Sequence, residues 1–202
     1  MVEAFARDLD LFYWAGELIE RWRPALRRLR PIEVADTLAT TVMLEMDLRY
    51  EAAAASELAE NFRDDPHFRV PPVDWRRTGR RVLTIARIAG IAIDRREEIA
   101  AAGHDVDAVL TRASSAFFQQ VFRDGFFHAD LHPGNLFVAP DGAIVVIDFG
   151  IMGRLDRKTR DYLAEMLIGF LTRDYRRVAD VHFRAGYVPP SKSVDAFTQA
   201  CR

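Results

Sequence analysis

Cysteine and long apolar runs are almost absent from this 202-residue sequence, and each absence excludes a class of protein. The single cysteine, Cys201, rules out an internal disulfide framework and any metal site built only from thiolates. No apolar run reaches the ~18 residues of a membrane-spanning helix, because the best candidate, residues 82–93, is interrupted by Arg87. The first residues alternate acidic and basic side chains, unlike a secretory signal peptide. We therefore expect a cytoplasmic protein without a transmembrane segment in this chain.

A large net charge is also missing. The sequence has 28 Lys and Arg residues against 30 Asp and Glu residues, so its formal net charge is −2. A balance this close to zero argues against a dedicated nucleic-acid-binding protein. Half of the residues are apolar and 29% are charged, which is typical of a globular chain of one domain or two small ones.

The spacing of apolar residues predicts a mostly helical chain with a few short strands. Residues 2–30 show helical periodicity with a break at Pro24, and residues 32–62 have the pattern of one long helix. The remaining predictions are strands at 68–75 and 82–88, a β-hairpin that joins 136–138 to 143–147, and helices at about 94–103, 105–125, 156–173 and 174–185. The predicted fold class is therefore α+β, predominantly helical.

A basic cluster follows the first helix and consists of Arg23, Arg27, Arg28 and Arg30. A solvated basic surface is the simple interpretation of this cluster. The alternative is a contact with phosphates or with anionic lipid.

One part of the sequence concentrates the residues that phosphoryl transfer requires. The segment His-Ala-Asp-Leu-His-Pro-Gly-Asn occupies 128–135, and Asp-Phe-Gly follows the predicted hairpin at 148–150. Phosphoryl transfer needs an acid that orients the acceptor or a water molecule, and oxygen ligands that hold Mg²⁺ on the phosphates. Asp130 is the candidate for the first role. Asn135 and Asp148, which the hairpin makes spatial neighbours, are the candidate metal ligands.

Two other interpretations of this segment compete with phosphoryl transfer. In the first, Asp130 and Asp148 only cap turns. In the second, His128 and His132 bind zinc, but a zinc site needs three or four converging ligands and no further His or Cys lies nearby in the sequence. His128 is better interpreted as a buried scaffold residue, and His132 as either scaffold or a residue that lines the site.

This pattern resembles the UbiB (AarF-like) family of atypical kinase-like proteins. The resemblance is close at residues 128–135 and 147–150, and Glu45-Met46-Asp47 is similar to the family's Glu-x-Asp motif. It extends over most of the chain. It implies the C-terminal lobe of a protein-kinase-like fold with part of the N-terminal lobe.

The resemblance also implies how the chain is divided and what it lacks. Residues 1–90 would form an incomplete N-terminal lobe, and residues 91–202 a C-terminal lobe with the catalytic loop. The chain begins after the place where the family's nucleotide loop and lysine strand should lie, and its two lysines, Lys158 and Lys192, both follow Asp148. We therefore interpret the sequence as a fragment, or a truncated gene product, of such a protein, whose nucleotide site an upstream segment or a partner chain would complete.

Three acids are candidates for the nucleotide side of the site. By resemblance, one of Glu45, Asp47 and Glu51 should pair with the nucleotide-binding lysine. In an unbroken helix, Glu45 could also form a surface ion pair with Arg49. Asp47 and Glu51 would then lie four residues apart on one face and repel each other unless a cation lies near them.

The implied function is that of an ATP- and Mg²⁺-dependent kinase or ATPase of the type linked to ubiquinone biosynthesis. The substrate would be related to lipids or quinone precursors, and the protein would contact the inner face of the cytoplasmic membrane peripherally. An aminoglycoside- or choline-type phosphotransferase, which has a similar loop, is one alternative, and a catalytically inactive scaffold is another. Because the lysine strand is missing, we expect this chain alone to bind nucleotide poorly.

Overall fold

The computed structural model describes residues 2–202, except for the side chains of residues 2–7, 24–25 and 43–45. The predicted class, α+β and predominantly helical, is confirmed. No helix in the described part of the chain combines the length and the apolar character that crossing a bilayer requires.

The described part of the chain begins and ends with α-helices. Its short strands lie in the middle together with two α-helices and one π-helical segment, and 3₁₀ segments occupy Pro24–Leu29 and Pro133–Asn135. The α-helices are α1 (Val2–Trp22), α2 (Pro31–Glu45), α3 (Leu48–Asn61), α4 (Arg96–Ala101), α5 (Val106–Phe118), α6 (Arg157–Leu171), α7 (Tyr175–Arg184) and α8 (Val194–Ala200). The strands are β1 (Phe68–Arg69), β2 (Ile91–Ala92), β3 (Phe126–His128), β4 (Leu136–Val138), β5 (Ile144–Val146) and β6 (Met152–Arg154). The π-helical segment, Gln119–Asp124, directly continues α5.

The chain folds as two compact units that interleave in sequence. The first unit combines Met1–Ala53 with Val73–Ile85, and the second combines Ala54–Pro72 with Ala86–Arg202. At the junction, the Ala86 amide donates to the Pro72 carbonyl at 3.0 Å. The division into lobes at residue 90 stays a prediction.

In the first unit, α1 packs on α2. Gly16 is buried on α1, and a Cβ added there would lie 3.4 Å from Ile32 of α2. The Tyr13 hydroxyl donates to the Asp36 carboxylate at 2.7 Å, which ties the same two helices together. The break predicted at Pro24 is confirmed, because α1 ends at Trp22 and a 3₁₀ turn begins at Pro24.

The single long helix predicted over 32–62 is wrong, because the structure ends α2 at Glu45 and begins α3 at Leu48. Asp47 lies between them, and its carboxylate accepts from the Arg49 backbone amide at 3.2 Å. An Asp that binds a nearby backbone amide competes with continuous helix and favours a new helix start. Asp47 and Glu51 therefore do not lie on one helix, and the repulsion predicted between them along that helix is no longer expected.

The Asp47 carboxylate is almost buried and is neutralised by two arginines of the first unit. Its side chain is 9% exposed, and it accepts from Arg49 at 2.9 Å and 2.6 Å, with Arg80 at 3.5 Å. The hydrogen bonds from Arg49 lower the pKa of Asp47 from 3.8 to about 2, although burial opposes this shift. The cations beside Asp47 in this unit are therefore arginines.

The two strands predicted at 68–75 and 82–88 form only in part. The first reaches Arg69, and beyond it only isolated bridges join Val73 to Ile85 and Gly79 to Val82. The consecutive prolines at 71 and 72 have no amide hydrogen to donate, so they interrupt the ladder.

The second unit is built around a four-stranded sheet with the order β1-β5-β4-β2. β5 lies inside this sheet, where it runs parallel to β1 and antiparallel to β4. All three of its residues are buried. The predicted hairpin of β4 and β5 is confirmed, with Leu136 opposite Val146. The helices predicted from Asp156 and Asp174 are also confirmed as α6 and α7, and both aspartates cap them.

A second, two-stranded sheet pairs β3 with β6. Phe126 lies opposite Arg154, and His128 lies opposite Met152. Between them Gly153 faces Phe127, whose ring occupies the position that a Cβ of residue 153 would need. This sheet therefore requires glycine at 153, and it carries His128 at its end.

We predict that the ion pairs of Asp47 make the first unit sensitive to acid. The pKa of Asp47 is about 2 in the folded chain against 3.8 ordinarily. Its contribution to the free energy of unfolding is therefore complete above about pH 4 and is lost as the pH falls to about 2. Asp47→Asn should lower the urea midpoint of unfolding at neutral pH and should change this midpoint little near pH 2, about the pKa of Asp47 in the folded chain. The fluorescence of Trp14, Trp22 and Trp75 measures this transition, because all three lie in the first unit.

Glu33→Gln is the matched control for Asp47→Asn. Glu33 pairs with Arg30 at 3.0 Å, but both side chains are more than half exposed, so the pair should contribute little. An Asp47→Asn midpoint that is lowered equally at neutral and acid pH would contradict the prediction.

We also predict that Gly153→Ala destabilises the second unit. The added methyl group must displace the Phe127 ring, and such overpacking typically costs about 1–3 kcal/mol. Thermal unfolding followed by circular dichroism should show a lower midpoint. Gly79→Ala is the control, since a Cβ at that position meets no atom within 4 Å. Equal midpoints for Gly153→Ala and wild type would show that β3 and β6 adjust without cost.

Candidate functional site

The candidate catalytic loop leaves β3 and folds back on itself within a few residues. The Asp130 carbonyl accepts from the His132 amide at 2.7 Å and from the Asn135 side-chain amide at 3.2 Å. His132 Nδ1 accepts from the Gly134 amide at 3.1 Å, at the start of the 3₁₀ turn Pro133–Asn135. These bonds make Asp130 and Asn135 parts of one compact turn.

The β4–β5 hairpin brings Asp148 back to this turn, as the sequence predicts. The Ile147 amide donates to the Asn135 carbonyl at 2.9 Å, so the residue before Asp148 lies directly against Asn135. Asp148 is thus a close neighbour of Asn135 although the two are far apart in sequence.

The buried ring of His128 connects the backbones of the two aspartates. His128 is 1% exposed, and its Nδ1 accepts from the Asp130 amide at 3.1 Å. Its other nitrogen, Nε2, lies 2.5 Å from the Asp148 carbonyl. Because Nδ1 accepts and a carbonyl faces Nε2, the ring must carry its proton on Nε2. The prediction that His128 is a buried scaffold residue agrees with this arrangement.

Asp148 has an unusual backbone that this contact helps to hold. Its φ of +64° lies in the left-handed region, which costs free energy for any residue with a Cβ. Its carboxylate Oδ1 accepts from the Gly150 amide at 3.2 Å, while Phe149 next to it is 1% exposed. The side chain of Asp148 is nevertheless exposed, as is that of Asp130.

The available donor atoms suit a hard cation held with the help of a ligand's own oxygens. Asn135 donates through Nδ2 to the Asp130 carbonyl, which leaves its Oδ1 on the opposite side of the amide as an oxygen ligand. Asp148 contributes a carboxylate. Mg²⁺ is commonly held by one or two protein oxygens together with water and substrate phosphates. The residues present therefore fit Mg²⁺ bound with a nucleotide.

A zinc site finds no support in the structure. Among the residues that the structure describes, no group of three or more His, Cys, Asp or Glu side chains could hold a metal ion. His128 and His132 both use Nδ1 for backbone amides of the loop.

The acids predicted for the nucleotide side lie in the first unit. The side chain of Glu45 falls outside the described residues. Asp47 binds Arg49 and Arg80, and Glu51 belongs to the first turn of α3. Their role in nucleotide binding stays a prediction, as do the roles of Asp130, Asn135 and Asp148.

Sequence reasoning missed one buried polar residue beside the loop. Gln120 is 1% exposed, and its side-chain oxygen accepts from the His128 amide at 2.9 Å. A signal was present in the sequence, because Gln120 lies on a helix in a mainly apolar stretch next to Val121, which is also buried. A polar side chain in such a position needs a hydrogen-bond partner.

Comparisons with known proteins show the family to which the chain belongs. The family described as the ABC1 atypical kinase-like domain matches residues 1–182. Among solved structures, the chain is similar to Rv3197 of Mycobacterium tuberculosis, described in its complex with erythromycin. The TM-score is 0.64 with 25% sequence identity, over 89% of this chain and 46% of that one.

Curated relatives carry the name "Probable protein kinase UbiB". The protein of Marinobacter nauticus is 42% identical over 200 residues, which cover 97% of this chain and 37% of the relative. The proteins of Aeromonas salmonicida and Pasteurella multocida are 42% and 41% identical over 96% of this chain. The chain therefore spans little more than a third of the length of these relatives, and it belongs to the ABC1 atypical kinase-like family, as its resemblance to UbiB proteins predicts.

Proposed function

We propose that the second unit carries a Mg²⁺-dependent nucleotide site for ATP hydrolysis or phosphoryl transfer. The observation that supports it best is the His128 ring, which ties the backbones of Asp130 and Asp148 together. Catalysis of phosphoryl transfer depends mainly on positioning and on charge stabilisation. A rigid link between two exposed carboxylates and one amide suits that requirement.

Each of the three polar side chains has a distinct proposed role. Asp148 and Asn135 hold the cation through their side-chain oxygens, and Mg²⁺ would there neutralise charge on the phosphates. Asp130 orients the acceptor hydroxyl or a water molecule and accepts its proton. The exposure of Asp130 leaves its carboxylate accessible to an acceptor.

A separate proposal concerns the first unit alone: one of Glu45, Asp47 and Glu51 would pair with a nucleotide-binding lysine from a longer chain or a partner. For Asp47 that lysine has to compete with Arg49 and Arg80, which already occupy both carboxylate oxygens.

The acceptor is proposed to be related to lipids or quinone precursors, in a role linked to ubiquinone biosynthesis. The link to ubiquinone biosynthesis rests on the family resemblance that the chain shares with the UbiB relatives, of whose length it covers 36–38%. The similarity to Rv3197, described with erythromycin, supports a second candidate, which is phosphorylation or binding of a bulky small molecule.

We predict that Mg²⁺-dependent nucleotide binding requires Asp148. Asp148→Asn removes a charge-assisted contact worth about 1.5–3 kcal/mol, so MgATP should bind roughly 10- to 100-fold more weakly. Calorimetric titration of ATP with Mg²⁺ measures this change. The full-length relative from Marinobacter nauticus provides the reference, and wild-type chain should bind more weakly than that relative does.

Asp141→Asn is the matched control, because Asp141 lies at the tip of the same hairpin and pairs with Arg69. It should bind MgATP as the wild-type chain does. Equal binding by Asp148→Asn and Asp141→Asn would remove the metal role of Asp148. Absence of binding by both this chain and the full-length relative would favour the inactive scaffold.

We further propose that α1 lies on an anionic membrane surface. Four apolar side chains on one side of α1, named here the α1 stripe, remain strongly exposed: Leu11, Trp14, Leu18 and Trp22 at 59%, 59%, 41% and 69%. Their spacing of three, four and four residues places them on one helical face, whereas Gly16, which packs on α2, lies on another.

The charge around the end of the α1 stripe favours anionic lipid as its partner. Five arginines occur between residues 21 and 30 without any acid: Arg21, Arg23, Arg27, Arg28 and Arg30. Each basic residue near an anionic membrane contributes about 1 kcal/mol of attraction. Trp and Leu beside arginines are typical of a helix that lies in the membrane interface.

We predict that the chain floats with vesicles that contain anionic lipid and much less with purely zwitterionic vesicles. Replacing Trp14 and Trp22 together by Ala should reduce flotation several-fold, because both rings leave the interface. High salt should also reduce it, because the arginine contribution is screened.

Trp75→Ala is the control, since Trp75 is 52% exposed in the same unit but does not belong to the α1 stripe. Flotation that is equal for all three proteins would contradict the membrane contact. A Trp14 and Trp22 variant that changes the oligomeric state, but not flotation, would assign the α1 stripe to a contact between protein chains.

A further inference from the structure

The amide of His128 points away from the two-stranded sheet. In an antiparallel pair, alternate residues bond to the partner strand. Here Ala129 donates to the Ile151 carbonyl at 3.0 Å, and Leu155 donates to the Gly125 carbonyl at 2.8 Å. The His128 amide, which lies between these bonds, therefore faces the other side. A buried amide without a partner there would cost about 1–3 kcal/mol.

Gln120 provides the missing acceptor, in the place that a third strand would occupy. Its Oε1 accepts from the His128 amide at 2.9 Å, and both side chains are 1% exposed. A side chain thus completes the hydrogen bonding of the residue whose ring joins Asp130 to Asp148.

Backbone and side-chain contacts hold the C-terminal turn of the π-helical segment Gln119–Asp124. The Gly125 amide donates to the Gln120 carbonyl, and Gly125 itself has a φ of +65°. A Cβ at 125 would lie 2.6 Å from the Leu155 carbonyl, so glycine is required there. Arg160 donates to the carbonyls of Phe122 and Arg123 at 3.4 Å and 2.8 Å. A π-turn is rarer than an α-turn and often occurs at functional sites.

We propose that Gln120 is a positioning residue for the candidate site. By accepting from the His128 amide, it fixes the end of β3 and, through it, the ring that binds the Asp130 amide and the Asp148 carbonyl. The proposal rests on the proposed function only for the roles of the Asp130 and Asp148 carboxylates in catalysis and metal binding. Its geometric part concerns His128 and can be measured without a metal or nucleotide.

Gln119 shows that this role belongs to Gln120 alone within its turn. Gln119 is the same residue type one position earlier, but it is half-buried and accepts from the Arg123 side chain at 2.6 Å. Arg123 in turn pairs with Asp124. Gln119 therefore belongs to a surface network, and Gln119→Met is the matched control for Gln120→Met.

Gln120→Met keeps the length and burial of the side chain but removes the acceptor. Nitrogen-15 spectra of the imidazole report the tautomer of His128, and hydrogen exchange reports the protection of the Asp130 amide. We expect the wild-type chain and Gln119→Met to show one Nε2–H tautomer and a protected amide. Gln120→Met should show mixed tautomers and faster exchange at Asp130, and Gln120→Glu, which retains an acceptor oxygen, should restore both.

The functional part of the proposal is measured with Mn²⁺ as a paramagnetic probe in the same samples. Gln120→Met should bind Mn²⁺ roughly 10-fold or more weakly than wild type, as is typical when the support of a metal ligand is removed. Gln119→Met should bind as wild type does. If Gln120→Met does not fold, Gln120→Asn, whose shorter side chain cannot reach the His128 amide, replaces it.

The outcomes separate this proposal from the proposed function. An unchanged His128 tautomer and Asp130 amide in Gln120→Met would overturn the positioning role, as would an altered ring with unaltered Mn²⁺ affinity. The wild-type chain could bind no Mn²⁺ while Gln120→Met still alters the His128 tautomer and the exchange of the Asp130 amide. That result would contradict the metal site and support the positioning of the loop by Gln120.

Discussion

The candidate site depends on the imidazole of His128 and on the single tautomer that its surroundings impose. One nitrogen accepts from the Asp130 amide and the other donates to the Asp148 carbonyl. The loop after β3 and the end of β5 are therefore held at a constant separation by one planar ring. The carboxylates can remain exposed to a ligand because their backbones, and not their side chains, carry these contacts. The carboxylate oxygens of Asp130 and Asp148 are therefore available to bind a ligand.

Holding the site in this way requires two unfavourable local conformations. Asp148 has a left-handed backbone, and a π-turn replaces α-helix before Gly125. Each is disfavoured in isolation and persists where packing and hydrogen bonds determine it. Their concentration on both sides of His128 distinguishes this part of the second unit from the regular helices α6 and α7.

The sequence predicts the parts of the site that depend on local signals. The hairpin of β4 and β5, and with it the proximity of Asn135 and Asp148, follows from the turn residues that separate two apolar runs. The break at Asp47 could not be predicted in the same way, because the surrounding residues favour helix. The local bonds from Arg49 to Asp47 are joined by contacts from Arg80, which lies far along the chain and whose carbonyl accepts from the Leu48 amide. Gln120 was missed for a related reason, since its partner becomes known only when β3 and β6 pair.

The hydrogen bond between Ala86 and Pro72 has a consequence for insertions and deletions within residues 73–85 of this chain. It brings together the two points at which the chain leaves and re-enters the second unit. Residues 73–85 therefore form a closed loop that leaves the second unit, and a hydrogen bond joins the two residues that flank it. Lengthening or shortening such a loop changes the entropy of loop closure only slowly. It also leaves the hydrogen bonds of the second unit in place. A change of length between residues 73 and 85 therefore leaves β4 and β5 in place, but it would move Arg80, which pairs with Asp47 and whose carbonyl accepts from the Leu48 amide.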